Sequence, residues 1–166
     1  MLGDANEGLR YRPYILKRLT DFDPSVKDDT ASRTITMKQL KEDIFEHIEM
    51  LFNSKTHLSV EELKDDEELE SSVLGYGIAD YCGSGTGRSD REDLMRQMVK
   101  QLHYFEPRLV PDSITVEFVP PKVKAGSLME FQIGGLIQGD EAGEELMFIA
   151  RLDMETGSAE LKHVKD

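Results

Sequence analysis

The hydrophobic period of the chain changes at a proline. Before Pro107, the residues Leu94, Met98, Leu102 and Phe105 recur at helical spacing and form one stripe of a helix. After it, Ile114, Val116 and Phe118 alternate with Thr115 and Glu117, the period of a half-buried strand. Pro107 ends the helix because its ring removes a backbone donor and disfavours helical geometry at Glu106. Ser89 followed by Glu92 has capping-box spacing and predicts where that helix starts. If Glu106-Pro107-Arg108 runs extended, side chains two apart share a face, so Glu106 and Arg108 sit side by side on a stiff, charged corner. A helix end with a solvated ion pair would read the same way, and such pairs contribute little.

The same periodicity argument orders the rest of the chain. Residues 1–12 predict a flexible arm, and residues 13–166 a single α+β domain. Residues 13–21 make a short amphipathic segment with Ile15, Leu16 and Leu19 on one side, and 22–32 read as a connection. A long helix is predicted from Met37 to about Phe52, with Thr36 and Gln39 as its capping box and Met37, Leu40, Ile44, Ile48 and Leu51 as its stripe. Past Pro107, a second strand is expected over Leu128 to Ile137, with Met129, Phe131 and Ile133 on one face. Gly134-Gly135 inside it predicts a bulge or a close backbone approach. A third strand should run from Glu144 to Asp153, apolar on both faces over Leu146 to Leu152, and a fourth from Ser158 to Val164. The expectation is an α+β fold, with N-terminal helices packed on one face of a C-terminal antiparallel β-sheet.

Charge and composition exclude several functions. The formal net charge is -13 over 166 residues, which argues against wrapping nucleic acid or binding an anionic membrane surface. Cys82 is the single cysteine, so no internal disulfide is possible, and a cytoplasmic location is expected. No signal-peptide run and no membrane-length apolar stretch is visible. The acidic run from Glu61 to Glu70 lacks the Asp/Asn/Gly spacing of a calcium loop and reads as a solvated surface. The glycines at 83–87 precede Arg88 rather than the Lys of a phosphate loop, and read as a flexible link. His47, His57, His103 and His163 are scattered without metal-ligand spacing. No catalytic residue, metal or cofactor is indicated. A glycosidase pair using Glu106 would need a second carboxyl at a defined separation across a cleft. The chain reads as a non-enzymatic interaction module.

Four short segments, in order, resemble a known family. Leu16-Lys-Arg-Leu-Thr-Asp21, Leu51-Phe52-Asn53, Ser72-Val-Leu-Gly-Tyr-Gly-Ile-Ala-Asp80 and Phe105-Glu-Pro-Arg-Leu109 resemble motifs of the TssE family. These are the small baseplate subunits of bacterial type VI secretion systems, similar to the wedge proteins of contractile phage tails. Gly75 and Ala79 depart from the family's usual Asn and Pro, which predicts a looser segment there. The resemblance implies a structural, cytoplasmic role in a contractile injection machine. Its implied partners are the baseplate subunits TssF and TssG, with TssK, and the sheath subunits TssB and TssC. The implied contact residues are Glu106, Pro107 and Arg108, with Tyr76 and Asp80, and the sheet would offer an edge for the first sheath ring. On this reading Glu106→Ala or Arg108→Ala leaves the fold intact and breaks assembly. Other readings are a peptidoglycan-degrading, lysozyme-like enzyme, a label phage relatives have carried, and a regulatory module similar to a stress-response anti-adaptor.

Overall fold

The computed structural model describes residues 11–20, 25, 34–56, 58, 62, 66–82, 87–120, 126–139 and 143–164. Most of the arm, the connection at 22–32, most of the acidic run before Asp66 and the link at 83–86 therefore lie outside the described residues. The chain divides into two compact units, Met1–His47 and Ile48–Asp166. Among the described residues no helix is long and apolar enough to cross a membrane.

The first unit holds helix α1 (Ile15–Leu19) and the start of helix α2 (Met37–Asn53). The predicted capping box is present. Thr36 N–H donates to Gln39 Oε1 at 2.9 Å, and Gln39 N–H donates to Thr36 Oγ1 at 3.3 Å. Leu40 and Ile44 of the stripe are buried. Asp43, 3% exposed, accepts the Tyr14 N–H at 2.6 Å and the Lys17 ammonium at 2.8 Å. Lys17 also bonds Glu46. Burial pulls the Lys17 pKa down, but the bonds to Asp43 and Glu46 outweigh it and leave it raised. Ile15, Leu16 and Leu19, the apolar side of α1, are exposed.

The second unit begins with Ile48, Leu51 and Phe52 of α2, all fully buried. Helix α3 (Glu67–Glu70) follows, capped by the Asp66 carboxylate on Leu69 N–H at 2.9 Å. A 3-10 turn spans Val73–Gly75, and helix α4 covers Arg88–Phe105. Here the expected start is corrected. The N-cap is Gly87, whose N–H donates to Asp90 Oδ2 at 3.2 Å, and Ser89 lies inside the first turn. Asp90 won because it stands three residues after a glycine that tolerates the cap position, and Glu92 instead pairs with Arg88 at 2.8 Å. Leu94, Met98 and Leu102 are buried, as their spacing predicts. Each such side chain contributes about 1.5–3 kcal/mol on burial.

The strands β1 (Thr115–Val119), β2 (Leu128–Leu136), β3 (Glu145–Asp153) and β4 (Ala159–His163) form one antiparallel meander in the order β1-β2-β3-β4. Met129, Phe131, Ile133, Leu146, Phe148, Ala150, Leu152, Ala159 and Leu161 are buried, and they share one face by register and alternation. α4 packs against β1, with the Arg91 guanidinium 4.4 Å from the Phe118 ring centroid. One strand expectation is narrowed and another changes. Register runs unbroken through Gly134 and Gly135, so there is no bulge. The close approach is at Gly134, where a Cβ would lie 3.0 Å from Thr115 Oγ1. β3 is buried on one face, since Met147 is 39% exposed on the other.

Candidate partner-binding corner

α4 ends at the predicted place, but the residues beyond it turn instead of extending. Glu106 N–H bonds to the Leu102 carbonyl at 3.0 Å, and Leu109 N–H returns to the Glu106 carbonyl at 3.1 Å. Pro107 thus takes the second position of a β-turn, where its fixed φ is favourable. The turn still brings the charged pair together. Arg108 Nε donates to Glu106 Oε1 at 2.6 Å, and Arg108 Nη2 donates to Oε2 at 2.7 Å. This is the bidentate, charge-assisted geometry that planar guanidinium and carboxylate groups favour.

The pair is not a solvated helix end. Glu106 is 1% exposed, whereas the Arg108 side chain keeps 18% exposure and Pro107 is exposed. A buried carboxylate depends on its partner, because desolvating an unpaired charge is costly. The sheet fixes the other side of the turn. Gln138 N–H bonds to the Arg108 carbonyl at 2.7 Å, and Val110 N–H to the Leu136 carbonyl at 2.8 Å. Leu109, 1% exposed, anchors the segment between these bonds. The corner is held at one end by α4 and at the other by the end of β2.

Tyr76 joins the corner through Phe105, the last residue of α4. Their ring centroids are 5.1 Å apart at 75°, an edge-to-face contact. The segment carrying Tyr76 is firmly held. Gln101 Oε1 accepts the Gly77 N–H at 2.9 Å, and Gln101 Nε2 donates to the Gly75 carbonyl at 3.0 Å. Gln97 Oε1 accepts the Ala79 N–H at 3.3 Å, and Ile78 N–H donates to the Ser54 carbonyl at 3.1 Å. Gly77 has φ +105°, and a Cβ there would lie 2.5 Å from the Ser54 carbonyl oxygen. A Cβ on Gly75 would lie 2.1 Å from the Glu70 carbonyl oxygen. The departures from the family's Asn and Pro therefore do not leave this segment loose.

Asp80 sits elsewhere. It is exposed and accepts the Cys82 N–H at 3.0 Å. That backbone bond, helped by the Lys55 charge, holds its pKa below the usual carboxylate value. Asp80 lines a groove of about 570 Å³ together with Gly77, Gln97, Lys100 and Gln101, to which neither Glu106 nor Arg108 contributes. The structure thus brings Glu106, Pro107, Arg108 and Tyr76 together and leaves Asp80 apart. Gln101, which holds the Gly75–Gly77 backbone, belongs to none of the motifs. It falls seven residues after Leu94 on the buried stripe, so a polar residue on an apolar face was the available signal.

The corner offers no free acid for glycoside cleavage, because both Glu106 oxygens are engaged by Arg108 in a buried site. Among the described residues no group of His, Cys, Asp and Glu is placed to hold a metal ion. No curated protein and no solved structure gives a significant match. The family model described as "Baseplate wedge protein gp25" matches residues 38–142, more than half of the chain and the whole of the corner. The chain therefore belongs to the baseplate wedge protein gp25 family, the structural wedge components of phage-tail-like baseplates.

Proposed function

We propose that the chain is the TssE-type wedge subunit of a type VI secretion baseplate. In this reading it is a non-catalytic, cytoplasmic adaptor. It binds TssF and TssG through Pro107 and Arg108, with Glu106 positioning the arginine and Tyr76 buttressing it. Asp80 forms a separate contact, and TssK completes the partners on this side. Its sheet offers an edge on which the first ring of TssB and TssC sheath subunits builds. The observation that carries the reading is the asymmetry of the ion pair: a fully buried carboxylate orients an arginine fork whose outer side reaches the surface. A guanidinium held this way has little rotamer freedom left to lose on binding.

The test is co-expression with TssF and TssG from the same genome, affinity capture and size exclusion. Arg108→Lys keeps a cation beside Glu106 while removing the planar fork. A folded Arg108→Lys protein with capture weakened tenfold or more supports the reading. Undiminished capture by that variant would move the contact away from the corner.

A further inference from the structure

The two edges of the sheet are not equivalent, and their difference selects one of them. Asp153 N–H bonds to the Ser158 carbonyl at 2.9 Å, which sets the ladder phase between β3 and β4. The pairs Arg151–Glu160 and Ile149–Lys162 then exchange hydrogen bonds, and the N–H and C=O of Ala159 and Leu161 point away from β3. Side chains from the end of α2 already bond three of these four groups. Asn53 Nδ2 donates to the Ala159 carbonyl at 2.8 Å, and Asn53 Oδ1 accepts the Ala159 N–H at 2.9 Å. The Glu49 carboxylate accepts the Leu161 N–H at 3.3 Å. The Asn53 carboxamide stands where the peptide group of a neighbouring strand would be.

On the other edge, Val110 N–H bonds to the Leu136 carbonyl and Leu136 N–H to Ser113 Oγ, so even-numbered residues of β2 face β1. Thr115, Glu117 and Val119 therefore bond to β2, and the N–H and C=O of Val116 and Phe118 point outward. Among the described residues nothing bonds to those outward groups.

We infer that β1, not β4, is the strand-accepting edge, and that it takes an extended segment of a partner polypeptide carrying Lys or Arg opposite Glu117. An edge of unpaired backbone groups recognises another strand through main-chain bonds, and side chains on alternate positions set the choice. Glu117 is exposed, on the face of β1 opposite to Val116 and Phe118. An opposite charge facing it is stabilising, and a like charge is not. This excludes a second copy of the chain in the symmetric arrangement: antiparallel β1–β1 pairing centred on residue 117 sets two Glu117 carboxylates opposite each other. The net charge of -13 adds to that repulsion. The inference deepens the adaptor reading and relies on it for the existence of a strand-donating partner.

The test is amide hydrogen exchange on the full chain by NMR, with a synthetic alternating Lys-Val octapeptide and its Glu-Val counterpart as probes. In the free protein, Ala159 and Leu161 amides should exchange slowly and Val116 and Phe118 amides fast. A saturating Lys-Val peptide should slow Val116 and Phe118 about tenfold and leave Ala159 and Leu161 unchanged. The Glu-Val peptide should have no effect. Val116→Pro removes only an outward donor, as edge positions tolerate, and should abolish the response at an unchanged thermal midpoint. If that variant unfolds, the wild-type exchange pattern decides alone. Slow Val116 and Phe118 amides in the free chain, protection at β4 instead, or no response to the Lys-Val peptide would overturn the inference. TssF and TssG capture through Arg108 does not pass through β1, so failure of one result leaves the other standing.

Discussion

The Gln101 side chain bridges two backbone groups of another segment, accepting from Gly77 N–H at 2.9 Å and donating to the Gly75 carbonyl at 3.0 Å. It is 5% exposed, so neither backbone group has water to fall back on. Gln101→Leu keeps the volume and removes both bonds. Each stranded group costs about 1–3 kcal/mol, so the urea midpoint should fall clearly. Gln101→Glu should also destabilise, because a carboxylate can accept from Gly77 but cannot donate to Gly75. Equal midpoints for wild type and Gln101→Leu would show that other contacts hold the segment.

The corner predicts an unequal pair of mutants. Arg108→Ala removes the bidentate partner of a carboxylate that is 1% exposed and should cost about 3–5 kcal/mol. Glu106→Ala leaves an arginine that still reaches water and should cost less. Glu106→Leu combined with Arg108→Leu should recover much of the loss seen in Arg108→Ala. Chemical denaturation of the three proteins checks the order. The resemblance implies that either alanine variant leaves the fold intact, and a loss of this size in Arg108→Ala is the direct measure of that expectation.

Gly75→Asn restores the residue usual in the TssE family and is nonetheless expected to destabilise this chain. Its Cβ would lie 2.1 Å from the Glu70 carbonyl oxygen, which belongs to backbone and cannot swing aside. Overpacking of this kind costs about 1–3 kcal/mol. A thermal midpoint at or above wild type would mean that the 70–75 turn relaxes freely.

Acid should loosen the turn between β3 and β4. The Asp153 carboxylate accepts N–H bonds from Glu155 at 2.9 Å and Thr156 at 3.4 Å, and the Ser127 hydroxyl at 3.1 Å. The backbone bond from Glu155 is the main cause holding its pKa below the usual carboxylate value. Because the folded value is the lower one, the stabilisation is complete above the unfolded value. It is lost as pH falls through the folded value. Asp153→Asn should therefore flatten the acid limb of a midpoint-versus-pH curve and change little at neutral pH. A parallel shift of the whole curve would contradict this.

What could be read from sequence was what periodicity encodes. The stripe Leu94-Met98-Leu102 and the alternation Ile114-Val116-Phe118 located the helix and the first strand, because burial follows the repeat of each element. The Thr36–Gln39 box was legible because both partners are local. Four features were not. The Ser89–Glu92 spacing matched a capping box, yet Gly87 and Asp90 offered a competing one at the same separation. The Gly134-Gly135 pair signalled special backbone, but only the position of Thr115 on the next strand shows that close contact, rather than a bulge, required it. The burial of Glu106 depends on the sheet end that closes over the turn, a contact distant in sequence. The family motifs were legible as a pattern, while the job of Asn53 within its motif was not, since its partner Ala159 lies 106 residues away.

The carboxamide of Asn53 has a consequence for growth. A sheet open at both sides can be lengthened from either one, and identical copies can then stack without limit, as in a fibre. With β4 bonded by side chains of its own α2, the inferred extension at β1 has no counterpart on the opposite side of the sheet. A strand arriving on the β4 side would first have to displace the Asn53 and Glu49 side chains from the Ala159 and Leu161 backbone groups.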